Sequence, residues 1–128
     1  MTLGIGLPAK SYFTIDRGRL AQKLEKGSPG NESRGEGFAL VSVTHRDRFE
    51  RERIPGSINI PHDEIREFAR RFSRSKEIVL YAASRRCDAA SAVARALASE
   101  GFERVIVFEG GLEEWRDAGH PLAGTAHA

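Results

Sequence analysis

The sequence predicts an α/β fold built on a mainly parallel sheet that is covered on both sides. Three observations carry this. Short, nearly continuous apolar runs such as "FALVSV", "EIVLY" and "RVIVF" read as strands buried on both faces. Segments of helical period separate them, so strand and helix alternate along the chain. The 128 residues, 40% hydrophobic and 30% charged, make one ordinary domain with enough chain to bury a core.

Taken in order, residues 1–11 read as a flexible lead-in and residues 12–122 as the single domain. "FTIDRGRLAQKLEKG" is a short strand followed by a helix. Asp16 can cap the first amides, Ile15 and Leu20 hold staple positions, and Gly27 can end the helix. "GSPGNESRGEG" (Gly27–Gly37) has no apolar anchor and reads as a flexible surface loop. Phe38–Val43 is a strand, and Ser57–Ile60 is a short one between two prolines. "HDEIREFARRF" places Ile65, Phe68, Ala69 and Phe72 on one helical face. Glu77–Tyr81 is a strand, "DAASAVARALASEG" an alanine-rich helix closed by Gly101, and Arg104–Phe108 another strand. "LEEWRDAG" is a last short helix, closed by Gly119 before Pro121, with Trp115 at core spacing from Leu112. Residues 123–128 are expected to form a disordered tail. No internal repeat is visible.

Composition excludes several function classes. No apolar run approaches the roughly 20 residues of a membrane helix, and the N-terminus lacks a secretory signal pattern. The cytoplasm is the expected location. The single cysteine, Cys87, allows neither an intramolecular disulfide nor a cysteine-rich metal site. The four histidines, His45, His62, His120 and His127, lack metal-ligand spacing and read as surface or capping residues. Sixteen arginines and four lysines are nearly balanced by 18 acids. Runs such as "HRDRFERERI" mix both signs, which suits a solvated surface better than a nucleic-acid groove. No nucleic acid, membrane, metal or cofactor is therefore expected. "EGG" (Glu109–Gly111) lacks the spacing of a dinucleotide loop. Glu113 and Glu114 have no visible partner.

The stretch "VLYAASRRCDAAS" (Val79–Ser91) reads as a strand, a tight loop and the start of a helix. Ligands of open parallel sheets bind beyond the carboxyl ends of the strands, where this loop lies. Its residues are Ala82, Ala83, Ser84, Arg85, Arg86, Cys87 and Asp88. Backbone amides, a helix N-terminus and two arginines there describe a small anion-binding pocket. The plain alternative is an ordinary turn with both arginines facing water. Cys87 also has two readings. A thiol at a helix N-terminus beside arginine favours the nucleophilic thiolate. A lone cysteine is more often a small buried hydrophobe, and Asp88, the expected helix cap, opposes ionisation.

Three segments, in this order, resemble the rhodanese homology family: "RFERERIPGSINIPHDEI", "IVLYAASRRCDAAS" and "GFERVIVFEGGLEEWRDAGHPL". The likeness spans about Tyr12 to Leu122. It implies a three-layer α/β/α domain with a central, mainly parallel, five-stranded sheet. It also implies sulfurtransferase chemistry. The first loop cysteine takes sulfur from a donor such as thiosulfate and passes it from a persulfide to cyanide or a thiol. Converging loop amides stabilise the charge. Matching the motif puts that nucleophile position at Ala82, whose methyl group can neither attack sulfur nor store it. Ser42, Val43 and Thr44 stand where the family commonly has Asp-Val-Arg, and Glu52-Arg53 where it has Gly-His. Cys87 matches a second loop cysteine that some members carry.

The expectation is a rhodanese-like domain with a vacated nucleophile position, lacking standard thiosulfate sulfurtransferase activity. Its partner would be a small thiosulfate-like anion or the persulfide or thiol of another protein, in a binding or regulatory role. The alternative is an active thiosulfate:cyanide sulfurtransferase that uses Cys87. If Ala82 were an introduced substitution, the nucleophile would instead be a cysteine native to that position.

Overall fold

The apolar runs pair into one sheet. The computed structural model describes residues 12–31 and 37–127. Its strands are β1 (Phe13–Ile15), β2 (Phe38–Ser42), β3 (Ile58–Asn59), β4 (Glu77–Tyr81) and β5 (Val105–Phe108). Its helices are α1 (Arg17–Lys26), α2 (Arg46–Arg51), α3 (Arg66–Arg71), α4 (Ala89–Ser99) and α5 (Gly111–Asp117). The five strands lie in the order β1-β5-β4-β2-β3, and every neighbouring pair is parallel.

Strand residues divide by parity between two cores. Ala39, Val41, Ile78, Leu80, Val105 and Val107 meet Phe68, Phe72, Val93 and Leu97 on the side of α3 and α4. Phe38, Leu40, Val79, Tyr81 and Phe108 meet Leu20 of α1 and Leu112 and Trp115 of α5. Burial of each large apolar side chain contributes about 1.5–3 kcal/mol, so the sheet is clamped from both faces. That clamp fixes where the strands end, and hence where the loops at their carboxyl edge begin.

Local signals set most boundaries. The Asp16 carboxylate accepts the Arg19 amide at 2.8 Å and starts α1, and Ile15 packs on the cluster that buries Leu20. Gly27 ends α1 in extended backbone (φ 177°). Gly101 and Gly119 follow α4 and α5 with φ of 94° and 84°, the left-handed region that glycine enters at little cost. Trp115 is buried as expected, with its indole N–H donating to the Pro121 carbonyl at 2.9 Å.

Four details differ from the sequence expectation. The helix expected over "HDEIREFARRF" shortens to α3, because the Glu64 amide donates to Pro61 in a turn first. Ala69 is consequently exposed, while Phe68 and Phe72 carry the buried face. Second, α2 was not expected: "RDRFER" has no apolar stripe, and none of its residues is buried.

Third, the described part of the Gly27–Gly37 loop is tied to the sheet. Asn31 donates to the Gly56 carbonyl at 3.0 Å and accepts the Leu40 amide at 3.1 Å. Fourth, residues 123–127 are not a disordered tail. Arg53 and Ala123 exchange two backbone hydrogen bonds of 3.0 and 2.9 Å, and a short 3-10 turn follows over Thr125–His127. The anchor is polar, which explains why no apolar pattern announces it. The Glu52 carboxylate, with a side chain 13% exposed, meets Arg116 at 3.0 Å and His127 at 2.9 Å. The expected lead-in, residues 1–11, lies outside the described residues. Among the described residues, no helix is long and apolar enough to cross a membrane.

Candidate functional site

Because every strand runs the same way, the loops after β2, β3, β4 and β5 share one edge of the sheet. Backbone bonds stitch them together. The Val43 amide donates to Tyr81 at 2.9 Å, Ile60 to Ser42 at 3.0 Å, and His62 to Val43 at 3.0 Å. The loop after β4 is held from its other side by the start of α5. The Leu112 amide donates to the Ala82 carbonyl at 3.0 Å, and Glu113 to Ala83 at 2.9 Å. Gly111 makes this approach possible. Its φ is 69°, and a Cβ there would stand 2.9 Å from Ala82 O, Ser84 Cα and Ser84 N. The glycine pair of "EGG" is therefore a brace for the β4 loop.

Ala82 leaves the end of the central strand and is 3% exposed, packed in the α3–α4 core. Cys87 is exposed, so it is not the buried hydrophobe that a lone cysteine more often is. Its amide donates to Ser84 at 3.1 Å and closes the turn. The amides of Ala83, Ser84, Arg85, Arg86 and Asp88 meet no acceptor among the described residues. Asp88 stands at the N-cap of α4 but makes no side-chain cap bond, at φ −90° and ψ 9°. The expected cap is thus missing, and the first-turn amides of α4 are also left without an intrahelical acceptor. Free donors and the helix dipole make this edge favourable for an anion.

The arginines are used differently from the expectation. Arg85 reaches Glu114 at 2.9 Å and Glu109 at 4.0 Å, so it is paired with acids of the β5–α5 segment while its side chain stays exposed to water. Glu114, which has no visible partner in the sequence, also lies 3.8 Å from Arg17. Arg86 is exposed and pairs with no carboxylate among the described residues.

Two cavities meet at Ala82 and Cys87. One, of about 170 Å³, opens toward β5 and is lined also by Ser84, Arg85, Asp88 and Glu109. The other, of about 200 Å³, opens toward β2 and is lined also by Thr44, His45, Arg48 and His62. The last three residues escaped sequence reasoning. His45 and Arg48 belong to the start of α2 and His62 to the loop after β3, and only the strand register brings the two segments beside the β4 loop. The rings of His45 and His62 meet edge-on with centroids 5.3 Å apart.

The positions that depart from the expected charged pattern form neutral or displaced contacts. Ser42 and Thr44 are buried with their hydroxyls 2.7 Å apart, and Asn59 Nδ2 donates to both of their carbonyls. Burial alone would push the Glu52 carboxyl up. The hydrogen bonds and charges of His127 and Arg116 outweigh it and hold the group below the ordinary carboxylate range. Among the described residues, no cluster of three or more His, Cys, Asp or Glu could hold a metal ion.

The rhodanese-like domain family matches residues 18–118. The chain belongs to that family. A crystal structure of a Bacillus halodurans protein is similar at 31% identity with a TM-score of 0.76, covering 91% of this chain and 79% of that one. The solution structure of a rhodanese-like domain from an Anabaena protein has 26% identity and a TM-score of 0.76, covering 90% and 81%. An HTH-type transcriptional regulator of Mycobacterium tuberculosis is 30% identical over 108 residues. The match covers 84% of this chain and 43% of the regulator, so the chain spans less than half of that relative. The five-stranded α/β architecture is that of its rhodanese-like neighbours.

Proposed function

We propose that this rhodanese-like domain binds a small thiosulfate-like anion, or the persulfide or thiol of a protein partner, at the Ala82–Asp88 loop without the standard sulfur transfer. One observation carries the reading: the position facing both cavities at the end of β4 bears a methyl group. Sulfur transfer needs a thiolate there to form a sulfur–sulfur bond and hold the product. Binding needs only donors, and the loop amides supply them. The neutral Ser42–Thr44 pair agrees with a relaxed catalytic requirement.

The test is a calorimetric titration with thiosulfate, run beside a thiosulfate-to-cyanide transfer assay on the chain and on Cys87→Ser. Saturable binding with background turnover in both forms is the expected result. A second reading has one observation in its favour: Cys87 is exposed on the wall of both cavities. Turnover that disappears in Cys87→Ser would make that thiol the nucleophile and overturn the binding-only reading.

A further inference from the structure

Helix α2 is not held by a hydrophobic face, since none of its residues is buried. Its ion pair of Arg46 with Glu64, at 3.2 Å, joins two exposed side chains of the kind that contribute little. Yet this helix and its N-cap bring Arg48 and His45 to the wall of the cavity that also reaches Ala82 and Cys87. What fixes α2 lies at its other end. The Arg53 guanidinium donates to the Phe49 carbonyl at 3.1 Å and to Glu50 at 3.4 Å, and lies 5.0 Å over the Phe49 ring. The last carbonyls of a helix lack intrahelical partners and favour such a cation. The Glu52 amide donates to the Arg48 carbonyl at 2.9 Å.

The same two residues grip the segment from Pro121 to His127. Arg53 pairs with Ala123 through the backbone, and the Glu52 carboxylate holds both Arg116 of α5 and His127. The indole of Trp115 anchors Pro121. Gly124, at φ 117°, passes so close to α2 that a Cβ there would collide with the Arg51 carbonyl. Residues 121–127 thus form a strap from α5 across the end of α2. We infer that Glu52 and Arg53 are positioning residues, which through this strap hold α2, and with it the Arg48 charge, beside Ala82. They stand where the family commonly has Gly-His, and a glycine has no carboxylate to close the strap.

Cys87 lines the same cavity and reports its charge without a bound ligand. Its alkylation rate with anionic iodoacetate is divided by its rate with neutral iodoacetamide. Arg48→Gln should lower that ratio about threefold, the effect of one partly screened charge, and about 1 M salt should erase the difference. Glu52→Gln removes a negative charge, which by itself would raise the ratio. The clamp requires the opposite, a fall approaching that of Arg48→Gln, partly restored in Glu52→Asp. Hydrogen exchange at the Phe49 and Glu52 amides, which bond within α2, should quicken in Glu52→Gln and Arg53→Met. Leu24→Ala loosens packing on α1 and should move neither readout. Thermal melts confirm that each variant is folded. The inference rests on the binding reading above only in expecting that thiosulfate affinity falls along with the ratio. A ratio unmoved by Arg48→Gln, or unmoved or raised by Glu52→Gln, overturns the inference, and so does unchanged exchange in α2. A parent chain that binds no thiosulfate overturns the binding reading instead, and the ratio still decides the clamp.

Discussion

Ala82→Cys, made in a Cys87→Ser background, should load sulfur from thiosulfate onto the introduced thiol while passing it slowly to cyanide. The folding cost should be small. The change adds one atom, with a volume near that of a water molecule, between cavities of about 170 and 200 Å³. Overpacking a filled core costs about 1–3 kcal/mol, and here room is adjacent, so less than about 1 kcal/mol is expected. For a chain of 128 residues that is a melting shift of no more than about 5 °C.

The electrostatic gain is larger. Each loop amide that bonds the thiolate is worth about 1.5 kcal/mol or more, and each such bond moves the thiol–thiolate balance about tenfold toward thiolate. That thiolate attacks the outer sulfur of thiosulfate. The donor's sulfur–sulfur bond breaks, sulfite leaves with the bonding pair, and the thiol becomes a persulfide. The second half-reaction also needs an acceptor in position. Ser42 and Thr44 supply no charge there, and misplacement by about an ångström can cost around 100-fold in rate. Intact mass after thiosulfate treatment reads the loading, and a cyanide assay reads the turnover. A variant that melts normally and takes up no sulfur would show that the loop is structural, not a vacated sulfurtransferase pocket.

Gly111→Ala forces a side chain into left-handed backbone and against the Ala82 carbonyl, so it should cost about 2 kcal/mol or more. A lowered melting temperature together with weakened thiosulfate binding checks it. Glu52→Gln should free residues 123–127, read as faster hydrogen exchange at the Ala123 amide that donates to Arg53. Because the folded-state Glu52 carboxyl lies below its ordinary value, its stabilisation is present above the unfolded pKa and is lost as pH falls through the folded one. The parent should therefore release the tail on acidification, and Glu52→Gln should lack that step. Tyr81→Phe should cost about 1–3 kcal/mol, because the phenol oxygen accepts the Ile54 amide at 3.1 Å and bonds Ser57 at 2.8 Å in the core. Burial raises the Tyr81 pKa, so its tyrosinate absorbance should appear later in alkali than that of an exposed tyrosine.

What was legible in the sequence follows from which forces leave a local pattern. Strands β2 and β4 were readable because burial on both faces turns them into unbroken apolar runs. The start of α1 was readable because Asp16 acts on an amide three residues away. Helix α2 was not, since it buries nothing and so shows no stripe. The docked tail was not, since it hangs on Glu52 with His127, 75 residues apart. The site divides the same way. Ala82 stands out because strand, loop and helix are contiguous there. Arg48, His45 and His62 acquire meaning only through register, which sets Ser42 beside both Asn59 and Tyr81 and so gathers the residues just beyond each.

Register also accounts for why a methyl group at position 82 need not disturb the loop. The Ala82 and Ala83 carbonyls are held by the Leu112 and Glu113 amides, the turn is closed by Cys87 and Ser84, and the approach depends on Gly111. Every one of these constraints is a backbone constraint. None involves the side chain at position 82, so the cradle keeps its shape whether that side chain carries sulfur or not. On the proposed reading, binding at the loop and reaction at position 82 are therefore separable, and the intact-mass measurement on Ala82→Cys tests that separation.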